Sequence, residues 1–97
     1  MKLRWTTRAA EHLEKIAIYI SHDKPDAAAG IILKIIESAE QLAEFPALGR
    51  PGRKHGTREL IVAGTPFIIV YRQTTAIEIL SVFHSAMLPE KYTAKQK

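Results

Sequence analysis

Two arginines, a loop lysine and a histidine are the residues of this chain whose types could do chemistry. Arg58 opens one β-rich run and Arg72 closes the next. A hairpin reverses direction, so the two lie at the same edge of a sheet, where paired guanidiniums hold a phosphate or carboxylate bidentately. The plainer reading is that each pairs with an internal acid, Glu59 or Glu78, or stands in water. His84 ends the third run. A histidine that moves a proton must lie within about 3 Å of it. Strand counting puts His84 at the end of the sheet away from Arg58 and Arg72, so a structural or partner-contacting role is the simpler one. Arg50, Arg53, Lys54 and His55 share one glycine-rich loop. Such a cluster tracks phosphates, receives an acidic segment, or merely solvates the loop.

Three β-rich runs within Thr57–His84 must position these groups. They are separated by Gly64-Thr65-Pro66 and Gln73-Thr74-Thr75-Ala76, breaks short enough for hairpins. In the middle run Phe67, Ile69 and Tyr71 fall on one face, and Ile68 and Val70 on the other. A half-buried strand would alternate with polar residues. Both faces are therefore expected to be covered, one of them by another protein.

Upstream, Lys2–Trp5 suits a short strand, and Thr6 is placed to cap a helix. Ala9, Leu13, Ile16 and Ile20 keep helical spacing, which predicts a helix over 7–22. Pro25 starts a second helix. Its stripe is Ala28, Ile32, Ile35, Ala39 and Leu42, and Phe45-Pro46 ends it near Ala43 or Glu44. Gly30 either weakens this helix or admits a close neighbour. Leu48–Gly56 reads as loop. The fold class is α+β: an N-terminal strand, an antiparallel helix hairpin and a three-stranded antiparallel meander. Residues 1–90 form a single domain, and 91–97, with Lys91 and Tyr92, a basic tail.

The chain has 97 residues, a net charge of +4 and no cysteine. Thiolate catalysis, disulfides and zinc–thiolate sites are excluded. His12 and His22 lack the spacing of a helical metal pair, so no metal is assigned, and no cofactor motif is present. No run approaches a membrane span, and the cytoplasm is the default compartment. The positive charge favours an acidic partner. Trp5 and Tyr71 are expected in the sheet and core.

Taken in order, Trp5-Thr6, Leu13-Glu14, Asp23-Lys24-Pro25-Asp26-Ala27-Ala28, Phe45-Pro46-Ala47-Leu48-Gly49-Arg50-Pro51-Gly52, Gly56-Thr57-Arg58-Glu59-Leu60, Val70-Tyr71-Arg72 and Ile79-Leu80 before His84 resemble the RelE/ParE toxin superfamily of bacterial type II toxin–antitoxin pairs. The Phe-Pro-x-Leu-Gly-Arg and Arg-Glu-Leu segments are most similar to the ParE branch. Family members often end His-Gly-Ala-Arg, where this chain reads His84-Ser85-Ala86-Met87.

The resemblance implies a toxin that inhibits DNA gyrase by binding, with no catalytic residue. A cognate antitoxin, ParD-like or other, would neutralise it through an acidic and apolar C-terminal segment, and would alone contact operator DNA. Arg50, Arg53, Lys54, Arg58, Tyr71, Arg72, Lys91 and Tyr92 are the expected partner-binding residues. The alternative it implies is a RelE-like endoribonuclease cutting mRNA on the ribosome, with Lys54, Arg58, Arg72 and His84 as its catalytic set.

Overall fold

Thr6 ends a strand and starts a helix with one side chain. The computed structural model describes residues 1–86. In it the Thr6 hydroxyl accepts from the Ala9 N–H at 3.2 Å and donates to the Ile79 carbonyl at 2.8 Å. It therefore caps the helix and pins the preceding strand to a distant one. Strand β1 is Leu3–Trp5 and helix α1 is Thr7–Asp23, within a residue of the predicted span. Pro25 opens α2, Pro25–Glu44, where its missing N–H would have had no intrahelical partner. The two helices pack as a hairpin. Ala9, Ile35, Ala39 and Leu42 are fully buried, and Leu13, Ile16, Ile31 and Ile32 pack around them. A Cβ on Gly30 would meet nothing within 4 Å, so this glycine admits no close neighbour.

The remaining strands are β2 (Arg50–Pro51), β3 (Arg58–Ile61), β4 (Phe67–Gln73) and β5 (Ile77–His84). β3, β4 and β5 form the expected antiparallel meander. The sheet is wider than the meander, with order β1-β5-β4-β3-β2. β1 lies parallel to β5, with Leu3 opposite Ile77. β2 corrects the reading of Leu48–Gly56 as loop: Arg50 pairs with Glu59 and Pro51 with Arg58. Proline is tolerated because β2 is the edge strand.

The two-faced pattern of β4 is realised. Phe67, Ile69 and Tyr71 join Val62, Ile77, Ile79 and Val82 under the helix hairpin. Ile68, Val70 and Phe83 form a separate buried cluster on the outer face, with Leu80 against it. The Arg53 guanidinium lies 5.8 Å from the Phe83 ring centre, within cation–π range. Val70 faces Ser81 and Tyr71 faces Ile79, so Leu80 is the extra residue of a bulge. Among the described residues, no helix is long and apolar enough to cross a membrane.

Candidate functional site

Tyr71 is the anchor of the basic rim. Its side chain is fully buried. The hydroxyl donates to the Pro46 carbonyl at 2.7 Å and accepts from the Gly49 N–H at 2.8 Å. A Cβ on Gly49 would stand 2.7 Å from that hydroxyl, so only glycine lets the chain pass so close. Arg58 closes the same strap, donating from Nη1 to the Gly49 carbonyl at 2.7 Å. Burial pushes the Tyr71 hydroxyl above its ordinary 10.0, against the opposing pull of the Gly49 N–H and the Arg58 charge. Tyr71 was expected to bind a partner. That expectation is corrected: the core leaves none of its surface to touch.

Glu59 organises the loop that follows. It is 2 % exposed, and one carboxylate serves three donors. It accepts from the Arg53 N–H at 3.1 Å, while the Arg50 and Arg53 guanidiniums each approach it to 3.5 Å. Lys54 closes the turn through its backbone, its carbonyl accepting from the Thr57 hydroxyl at 2.6 Å. Gly56, at φ +82°, completes it. Glu59 was an expected partner for Arg58 or Arg72, but it serves Arg50 and Arg53 instead, while Arg58 donates to the Gly49 carbonyl. The signal for its actual role was its position as the first acid after a run of bases, opposite the loop's own strand.

Arg72 turns to a different acid. Its Nε donates to Glu78 Oε1 at 2.6 Å, and Arg4 donates to Glu78 Oε2 at 2.8 Å. Register makes this a row across three strands, since Glu78 faces Arg4 on β1 and Arg72 on β4. The hydrogen bond from Arg72 is the largest influence holding the Glu78 carboxyl below 4.5. Burial opposes it, and the charges of Arg72 and Arg4 add to it.

Arg58 and Arg72 do share an edge, as expected. With Pro51, Gly56, Thr57 and Gln73 they line an open depression of about 260 Å³. Their side chains leave the sheet on opposite faces. Arg58 is directly across from Tyr71, on the helix side, and Arg72 is one residue further along. Each guanidinium is already engaged within the chain. His84 is elsewhere. It stands opposite Phe67, its ring edge-on to that ring at 5.4 Å, and its Nδ1 accepts from the Ala86 N–H at 3.0 Å. Phe67 and Arg72 are five strand positions apart, about 16 Å at ~3.3 Å per residue. Lys91 and Tyr92 lie outside the described residues. Among the described residues, no group of three or more His, Asp or Glu could hold a metal. His12 instead accepts from the Val82 N–H at 3.3 Å and joins α1 to β5.

A helix hairpin on one face of a five-stranded sheet is the fold of the RelE/ParE toxins that this chain matches. Within that class the chain belongs to the ParE toxin family of type II toxin–antitoxin systems, whose family model matches residues 3–89. The Sinorhizobium fredii protein named "Putative toxin Y4kP" is 49% identical over 84 residues, 87% of this chain and 88% of that one. Toxin RelE2 of Caulobacter vibrioides is 34% identical over 84 residues, 87% of this chain and 94% of that one. Among solved structures, a chain of the chromosomal ParDE system of P. aeruginosa superposes with a TM-score of 0.79 at 28% identity, over 87% of this chain and 95% of that one. A chain of the toxin–antitoxin complex RelBE2 from Mycobacterium tuberculosis gives 0.63 at 29%, over 86% and 95%.

Proposed function

We propose that this toxin acts by binding DNA gyrase and blocking replication, and that a cognate antitoxin with an acidic, apolar C-terminal segment neutralises it. The observation that carries the reading is the dispersal of the would-be ribonuclease set. RNA cleavage needs a base, an acid and phosphate stabilisers held together. Here Arg58 is tied to the Gly49 carbonyl, Arg72 to Glu78, and His84 sits at the other end of the sheet. A mechanism of binding asks none of these to catalyse. The stronger superposition on the ParDE chain than on the RelBE2 chain points the same way. The two solved relatives come from toxin–antitoxin systems, which supports the antitoxin as partner; operator DNA would then be reached only through it.

The RelE-like reading keeps two supports, the likeness to RelE2 and the depression that Arg58 and Arg72 share. One pair of assays separates them. Purified toxin should block gyrase supercoiling and leave ribosome-bound message intact. Removing Lys91–Lys97 should reduce toxicity more than His84→Ala, because a basic segment contributes to target binding while a lone histidine has no assembled site. Codon-specific cleavage of message, lost in Arg58→Ala and Arg72→Ala, would establish the ribonuclease instead.

A further inference from the structure

Two buried carboxylates are each shared by two arginines, and both sets stand on the face of the sheet away from the helices. Leu3 and Trp5 pack into the core under the hairpin, so Arg4 between them points the other way. Arg4 and Arg72 meet Glu78 at 2.8 and 2.6 Å. Glu59 lies opposite Val70 of the outer cluster, and takes Arg50 and Arg53 at 3.5 Å each. The side chains of Glu59 and Glu78 are 2% and 10% exposed, against 65%, 53%, 35% and 52% for Arg4, Arg50, Arg53 and Arg72.

Charge is therefore stacked by height. Glu59 and Glu78 are the only acids in the five described strands, and both are the buried members of their sets. Four cations over two anions leave this face net positive. A guanidinium carries five N–H donors, so each arginine keeps donors to spare. The carboxylates also hold the guanidinium forks in place, so less side-chain entropy is lost when an anion binds. From β2 to β1 the face crosses four strand spacings, roughly 19 Å at ~4.8 Å each.

What the face lacks selects the occupant. A protein interface is anchored by apolar and aromatic side chains near its centre. Here the apolar side chains between the two sets are closed off, with Ile68, Val70 and Phe83 at most 4% exposed. Ile61 is exposed at the β3 margin, outside that span. Unpaired nucleic acid stacks its bases on exposed aromatic rings. Among the described residues this face has one aromatic ring, Phe83, and Arg53 lies over it. A rigid basic face with no central apolar anchor and no stacking ring suits the phosphate backbone of a duplex. We infer that the outer face of the sheet holds duplex DNA through Arg4, Arg50, Arg53 and Arg72, without reading its sequence. This rests on the gyrase reading for its setting: the DNA is the segment that the topoisomerase engages, and the contact is separate from operator recognition.

The test titrates the isolated full chain into a short labelled duplex of arbitrary sequence, read by fluorescence anisotropy, with gyrase supercoiling assayed in parallel. Affinity should fall about tenfold or more between about 50 and 200 mM salt. Arg4→Gln and Arg50→Gln should each weaken binding about threefold or more and lower the salt slope by about one. Lys15→Gln, exposed on α1, should change neither. Arg4 is the most exposed of the four, so Arg4→Gln decides if Arg50→Gln unfolds the chain. No duplex binding, or binding that neither variant weakens, overturns the proposal; a supercoiling block that persists then leaves the gyrase reading standing. Duplex binding with these losses but no supercoiling block upholds the DNA face and overturns the gyrase reading instead. Tighter binding to single-stranded RNA of the same length overturns the choice of duplex. Variants that weaken only the antitoxin complex overturn it in favour of an acidic protein.

Discussion

Tyr71 and Glu78 show how single residues set the rim. Tyr71→Phe keeps the ring and deletes one hydroxyl, stranding the buried Gly49 N–H and the Pro46 carbonyl. The expected loss is about 1–3 kcal/mol in urea unfolding at neutral pH. The pH dependence has a definite sign. Burial holds the Tyr71 hydroxyl above 10.0, so its contribution is full below that value and fades as pH rises through the folded value. The variant's alkaline limb should therefore be flatter than the parent's. Glu78 behaves oppositely. Its carboxyl is held below 4.5, chiefly by Arg72, so its contribution is full above that value and is lost as pH falls through the folded value. Urea midpoints measured from pH 7 to pH 3 should fall less steeply in Glu78→Gln than in the parent. An equal slope would mean the Arg4–Glu78–Arg72 row contributes nothing to folding.

At the scale of elements, the helices were legible because periodicity and caps agree. Thr6, Pro25 and Phe45-Pro46 mark boundaries by local chemistry, and the stripe of Ile35, Ala39 and Leu42 is the buried one. Ile35→Ala should lose about 2–5 kcal/mol in denaturant unfolding, because the side chain is fully buried. Gly30→Ala should gain about 0.5–1 kcal/mol in the same measurement, since open space surrounds the position within a helix. β2 escaped the reading because two residues carry no period, and because glycine and proline around them signal turn. The site was half legible. Hairpin reversal put Arg58 and Arg72 at one edge and His84 at the other. That Arg72 would find Glu78 and Arg58 the Gly49 carbonyl, and that Tyr71 would hold Gly49 and Pro46, depended on side-chain geometry around a bulge and a strap that no spacing encodes.

Among the described residues, charge is unevenly divided between the two layers. Asp26, Glu37, Glu40 and Glu44 are exposed on α2 beside Lys34, while Arg50, Arg53, Lys54 and Arg72 are exposed on the opposite layer. The net +4 is therefore a field with a direction. Association with an acidic antitoxin should slow about tenfold or more between low and high salt in stopped-flow mixing, with dissociation changing less. A salt-independent rate would assign recognition to apolar contacts alone.

The parallel pairing of β1 with β5 also sets a clock. Arg4 and Glu78 are 74 positions apart, yet they are neighbours in the sheet. During synthesis the helix hairpin can form early, from local contacts. β1 has nothing to pair with until residues 77–79 leave the ribosome, and the Thr6 hydroxyl has no carbonyl to hold. The helices then wait with their apolar faces uncovered. A nascent toxin is thus an incomplete sheet until β5 emerges, and acquires its finished rim only then.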